Sequence, residues 1–224
     1  MNNEARQEIL SSIATHLAAS APFDARETPV DHPVVLSAQP PATDLIELFK
    51  QNLEAVDGHC IVAHSKGEIA DALTQIINAL QKTKLRAQRI AVSDAPEVER
   101  LMHMTDLEIE ELGIAPNASD IFSFDVGITT AQAAIAETGT LVLDSARERH
   151  RLVSLVPPVH IAIVDASTIR ATLGEILTML QNDEELSPTV TFITGPSRTG
   201  DIELTLTIGV HGPQEVYVII NQSQ

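Results

Sequence analysis

Residues 194–213 read TGPSRTGDIELTLTIGVHGP. They set Arg198, Asp201, Glu203 and His211 among glycines, prolines and small hydroxyl residues. A short β-branched apolar run, 189–193, precedes them, and another, 216–220, follows. A polar stretch between two core strands is where a rigid scaffold presents functional groups. The Arg198 guanidinium can fork onto a carboxylate or phosphate. Asp201, Glu203 and His211 carry acid–base or ligating chemistry. The same residues also admit an internal use: Arg198 paired with Asp201 or Glu203, and Asp201 accepting from the amides of its own loop. Alternation in Leu204-Thr-Leu-Thr-Ile208 predicts extended backbone that turns through 209–214 into 216–220 as a hairpin-like end, with Asp201 and Glu203 facing one side.

Two further clusters fall at turns or strand ends. In 127–140, GITTAQAAIAETGT, the carboxylate of Glu137 sits at a tight turn before a strand, next to Thr138 and Gly139. The crevice beyond the strand ends of a sheet is a usual ligand position. There Glu137 can be a base, a nucleophile or an anchor, or else cap its turn. Arg147, Arg149, His150 and Arg151 form the densest positive patch of the chain, followed by Pro157-Pro-Val-His160. That patch suits an anionic ligand or partner, and equally a solvated helix face. His160 opens an apolar strand, where a hydrogen-bonded core histidine is the commoner occupant. P-loop, GxGxxG, HExxH and GxSxG motifs do not occur. His160, His211, Asp201 and Glu203 have the chemistry of metal ligands, but their spacing does not call for a metal.

The elements that position these groups follow from periodicity. Ile9, Leu10, Ile13 and Leu17 make an apolar stripe on a helix over 3–19, and the Pro-rich 21–42 reads as an extended linker. Thr43 and Asp44 are N-cap candidates for a helix to about 56, ended by Gly58. A strand at 59–63 is followed by Ser65-Lys-Gly-Glu68, a capping box opening a helix to about 83. Further strands are expected at 89–92, 121–126, 140–143 and 160–164. Helical pieces are expected at 95–104, 129–136, 147–155 and from Ser167 to 181. This order predicts an α/β layered fold with a mainly parallel sheet. It divides the chain into an N-terminal helix and linker, 1–42, and one domain, 43–224.

At 224 residues with 44% apolar content the chain can bury one large core. Aromatics are only 3%, so that core must be Val, Ile, Leu and Ala, as in helix-covered parallel sheets. The net charge of −17 argues against nonspecific nucleic-acid binding and anionic membranes. It also means that an anion site needs its own local positive groups. The single Cys60 cannot close an intramolecular disulfide, and this chain alone cannot build a four-cysteine iron–sulfur cluster. No apolar run has transmembrane length and no signal-peptide pattern opens the chain, so a cytoplasmic protein is expected.

Three stretches together carry a resemblance: AIAETGTLVL at 134–143, LVPPVHI at 155–161, and TGPSRTGDIE at 194–203 with GVHGP at 209–213. They closely resemble, in the same order, the lactate-utilisation protein C family, which carries the LUD domain, and the likeness spans about 40–221. Gly200 stands where the family usually has Ala. The resemblance implies a Rossmann-like α/β/α fold similar to the sugar-phosphate isomerase and CoA-transferase group. It implies a role in bacterial oxidation of L-lactate to pyruvate, beside two iron–sulfur proteins that would hold the clusters. Carried over by position, its motif residues are Glu137, Thr138, Gly139, His160, Gly195, Ser197, Arg198, Thr199, Asp201, Glu203 and His211. Two other roles stay open: a stand-alone enzyme on a small phosphorylated or CoA-linked acid, and a non-catalytic assembly or regulatory subunit using the N-terminal arm.

Overall fold

The computed structural model describes residues 3–19, 44–114, 116–145, 151–182, 187–200, 206–208 and 212–223. These fall into two compact units. The first holds helix α1, Asn3–Ala19, whose Ile9, Leu10 and Ile13 are exposed. The expected linker at 21–42 lies outside the described residues.

The second unit begins with α2, Asp44–Glu54, then β1, His59–Ala63, and α3, Lys66–Gln81. The Ser65 hydroxyl accepts from the Glu68 N–H at 3.2 Å, and the Glu68 carboxylate reaches back to the His64 N–H at 2.8 Å. The capping box therefore forms with its return bond one residue earlier than expected. There follow β2, Arg89–Val92; α4, Pro96–Met102; β3, Glu111–Ile114; β4, Val126–Ala131; β5, Ala133–Ile135; and β6, Thr140–Asp144. Then come α5, Leu152–Leu155; β7, Val159–Asp165; β8, Ile169–Arg170; α6, Leu173–Gln181; and β9, Val190–Ile193. The last are β10, Arg198–Gly200; β11, Leu206–Ile208; and β12, Glu215–Asn221.

Six strands form one sheet in the order β1-β12-β7-β4-β2-β3, every neighbouring pair parallel. One face is covered by α3 and α4, with Leu73, Ile77, Val98 and Leu101 against Ile90, Ile128 and Ile161. The other face takes α2 and a second sheet, β8-β5-β6-β9, with Phe49, Leu53, Leu141 and Ile193 against Ala162, Val216 and Val218. The α/β layering is as expected, but part of the second covering layer is β rather than α. The core is aliphatic, as the scarcity of aromatics requires.

Three expected elements differ. The small-residue piece 129–136 is strand, not helix: β4 runs on through Gln132 into β5. Its alanines are buried between layers, where only a small residue fits, so packing overrides their helix propensity. The strand expected at 121–126 is instead a 3₁₀ turn at Ile121–Ser123, and strand begins only at Val126. Ile121 and Phe124 are three apart and both buried, the spacing of a turn. The helix expected from Ser167 begins at Leu173, capped by Thr172, and Ile169 lies in β8. On α6, Leu173 and Leu177 are 43% and 46% exposed, and Ile176 is the buried contact.

Candidate functional site

Two of the motif stretches converge on the end of α2. Beyond Glu54 the chain turns through Asp57, at φ +65°, and Gly58 returns its N–H to the Leu53 carbonyl at 2.9 Å before β1. The β5–β6 turn docks on this helix end. Gly139 has φ +63°, and a Cβ there would strike the backbone of Asn52 and Leu53, so only glycine fits. The Asn52 amide donates to the Ala136 carbonyl at 2.8 Å. On the other flank Gly195, at φ +69°, lies so close that a Cβ would fall 2.8 Å from the Val56 carbonyl oxygen. Beyond it, Arg198 donates through Nη2 to the Asp57 carboxylate, both side chains being solvent-exposed.

Hydroxyls join the two loops. Thr138 Oγ1 and Thr140 Oγ1 are 2.7 Å apart, and Thr140 Oγ1 is 2.7 Å from Thr194 Oγ1. Thr140 is buried while Thr138 and Thr194 are exposed, so the relay has both ends at the surface. The 194–198 loop is fixed in turn by the Ser197 N–H donating to the Pro213 carbonyl at 2.8 Å, and Gln214 N–H donates to Pro158 at 2.7 Å. Asp57, Pro158 and Pro213 each precede a parallel strand. The motifs therefore gather at the amino edge of β1, β12 and β7, opposite the carboxyl edge where open α/β sheets usually bind ligands.

The candidate residues separate on inspection. Glu137 is exposed, and its Oε1 accepts from the Leu173 N–H at 2.8 Å, so one carboxylate oxygen satisfies the first turn of α6. His160 is 0% exposed; its Nε2 lies 2.8 Å from Thr129 Oγ1. Burial pushes its pKa down to about 3, so the ring is neutral and has no surface of its own to offer a ligand. Cys60 is half-buried and burial pushes its thiol up to about 12, an inert group at neutral pH. Thr199 is placed in β10, paired with Thr207 of β11; the expected hairpin of 204–208 with 216–220 does not form, because β12 is taken into the large sheet in parallel with β1 and β7. Asp201, Glu203, His211, Arg147, Arg149 and His150 lie outside the described residues. Among the described residues no three His, Cys, Asp or Glu side chains group to hold a metal, and no helix is long and apolar enough to cross a membrane.

Sequence reasoning missed Asp57, the partner of Arg198, and Asn52, which anchors the Glu137 turn. The Asp57-Gly58 pair after an apolar-periodic run was the available signal for a helix end, though not for a binding role. Thr140 and Thr194 flank the expected residues but were not singled out.

Comparison with known proteins gives the family of the chain. Residues 46–221 match the LUD domain. The chain is 33% identical over 141 residues to lactate utilization protein C of Halalkalibacterium halodurans, covering 61% of this chain and 54% of that one. It is 27% identical over 237 residues to lactate utilization protein C of Oceanobacillus iheyensis, covering 96% and 98%. An uncharacterized protein of Neisseria meningitidis is 44% identical over 103 residues, 43% of this chain and 42% of that one. The matched region thus spans about half of the first of these relatives, less than half of the third and nearly all of the second. A crystal structure of a DUF162 family protein from Deinococcus radiodurans superposes with a TM-score of 0.61 at 21% identity, over 82% of this chain and 99% of that one, and so shares the fold. With the match spanning most of the second unit and including every motif stretch, the chain belongs to the LUD domain family.

Proposed function

We propose that this chain serves in lactate utilisation, as the small component of a system that oxidises L-lactate to pyruvate and whose iron–sulfur clusters reside in two partner proteins. The observation that carries the reading is the convergence of the ETGT turn and the GPSR loop on one helix end, with Arg198 at the surface. The names of the relatives support the same role. Arg198, its charge shared with Asp57, supplies guanidinium donors for a small carboxylate on a chain of net charge −17. One guanidinium nitrogen is engaged by Asp57, and the fork carries five N–H donors in all. The exposed hydroxyls of Thr138 and Thr194 suit the hydroxyl or keto oxygen of such an acid. Converting lactate to pyruvate removes two electrons and two protons. The electrons pass to the clusters of the partners; Glu137, through its second oxygen, and His211 position the acid or take a proton.

A second reading, an assembly or regulatory subunit without chemistry, is favoured by the engagement of Glu137 with the α6 N-terminus. One experiment addresses both. Co-purification with the two iron–sulfur candidates should give a complex that reduces an electron acceptor only when L-lactate is present. No complex and no lactate-dependent reduction would sink the proposal. Glu137→Gln keeps an acceptor for the Leu173 N–H; it loses the reduction if Glu137 moves a proton and retains it if the chain only assembles the complex.

A further inference from the structure

Independently of the proposed function, the interior of the large sheet holds polar groups that the aliphatic core does not explain. Ser93, Thr129 and His160 are 0%, 1% and 0% exposed. They lie on three adjacent strands. Ser93 follows β2 and continues its ladder, its N–H donating to the Ile128 carbonyl at 3.0 Å, which sets it beside Thr129 on β4. His160 on β7 is paired with Gly127 on β4, two residues from Thr129. Side chains two apart on a strand share a face, so all three project to one side of the sheet. That is the side where α5 packs, because a Cβ on Gly127 would run into the Val153 carbonyl.

The hydrogen-bond account of this trio does not close among the described residues. His160 Nε2 and Thr129 Oγ1 satisfy one another. Ser93 Oγ and His160 Nδ1 are buried, and neither has a hydrogen-bond partner among the described residues. A neutral imidazole has one donor nitrogen and one acceptor nitrogen, so whichever role Nε2 takes toward Thr129, Nδ1 is left with the other. A buried polar group left unmet is costly, and native interiors pair nearly all of them, using ordered water where protein groups do not reach. Two such atoms in one patch, with a hydroxyl between them, are the polar lining that an internal water requires. A serine at that position has no packing advantage over alanine, the residue already used at Ala91 and Ala131 on the same face.

We propose that Ser93, Thr129 and His160 line a buried water site on the α5 side of the sheet, and that Ser93, through that water, is a positioning residue for the His160 ring. The water accepts or donates at Ser93 Oγ and at the trio's remaining lone pairs and protons, and so completes the network that holds the ring. The fixed ring in turn supports the start of β7, directly after the Pro157-Pro158 turn that receives Gln214.

Crystallography and two variants test this. Density for an ordered water within hydrogen-bond distance of Ser93 Oγ is expected at atomic resolution; a map without it overturns the site. If the site is hydrated, Ser93→Ala strands the water and lowers Tm by about 3 °C. If the hydroxyl is dry and unmet, removing it raises Tm, and that result overturns the site. The imidazole ¹⁵N resonances of His160 report its tautomer. They should move in Ser93→Ala, and also in Thr129→Val, which removes the direct partner and serves as the positive control. Resonances that move in Thr129→Val but stay fixed in Ser93→Ala overturn the positioning role.

Discussion

Replacing Gly127 by Ala is expected to lower Tm by roughly 10 °C. Gly127 lies in β4, beneath α5. A Cβ there would be driven into the carbonyl oxygen of Val153 and would stand 2.9 Å from its carbon and 3.2 Å from Pro157 Cγ. These are backbone atoms and a ring, with no rotamer to yield. Relief requires α5 to lift from the sheet, which uncovers Val153 and its contacts Ala91, Ile121 and Phe124. Overpacking of this kind costs about 3 kcal/mol. Gly67→Ala is the matched control. It lies in the first turn of α3 with only the Ser65 hydroxyl near, at 3.8 Å, so Ala should be neutral or slightly stabilising. Thermal melts of the two variants decide the matter, and equal Tm values would refute the packing account of β4 and α5.

The second large effect is acid sensitivity through His160. Its folded pKa is depressed by burial to about 3, while in the unfolded chain it titrates near 6.5. Between those values the unfolded state binds a proton that the native state refuses. Stability is therefore undiminished by this group above pH 6.5 and falls as pH is lowered from 6.5 towards 3. The slope approaches about 1.4 kcal/mol per pH unit. Chemical denaturation at pH 7, 6, 5 and 4 measures it. His160→Gln should start less stable at pH 7, having lost a fitted ring, and should then decline less steeply, because the titrating group is gone. Parallel declines in the two proteins would show that His160 is not buried and neutral as the structure places it.

Most of the scaffold was legible because its signals are local. The capping box at Ser65, the apolar runs at 59–63, 89–92 and 160–164, and the stripe of α2 each announce one element through residues close in sequence. What misled were positions decided by partners far along the chain. Ala133, Ala134 and Ala136 look helical, yet they are small because a strand passes between two layers there. Ile169 fits a helical stripe with Ile176, but it pairs beside β5. The same division holds at the site. Gly139 stood out at a turn and Gly195 as a motif position, but that both must approach one helix end is a tertiary fact. Asp57 became visible only when Arg198, 141 residues away, was found against it. Ser93 carries no motif at all; only its burial and its unmet hydroxyl mark it.

The proposed function makes Arg198, beside the end of α2, the anchor of a small-acid site. A thermal shift of the purified protein with L-lactate and with pyruvate, repeated for Arg198→Ala, tests it most directly. A ligand of the native state raises Tm by mass action, by about 2.7 kcal/mol of added stability at a hundredfold excess over Kd. The account predicts a rise with at least one of these acids in the wild-type protein and none in Arg198→Ala. No rise with either acid, or an equal rise in the variant, would contradict it.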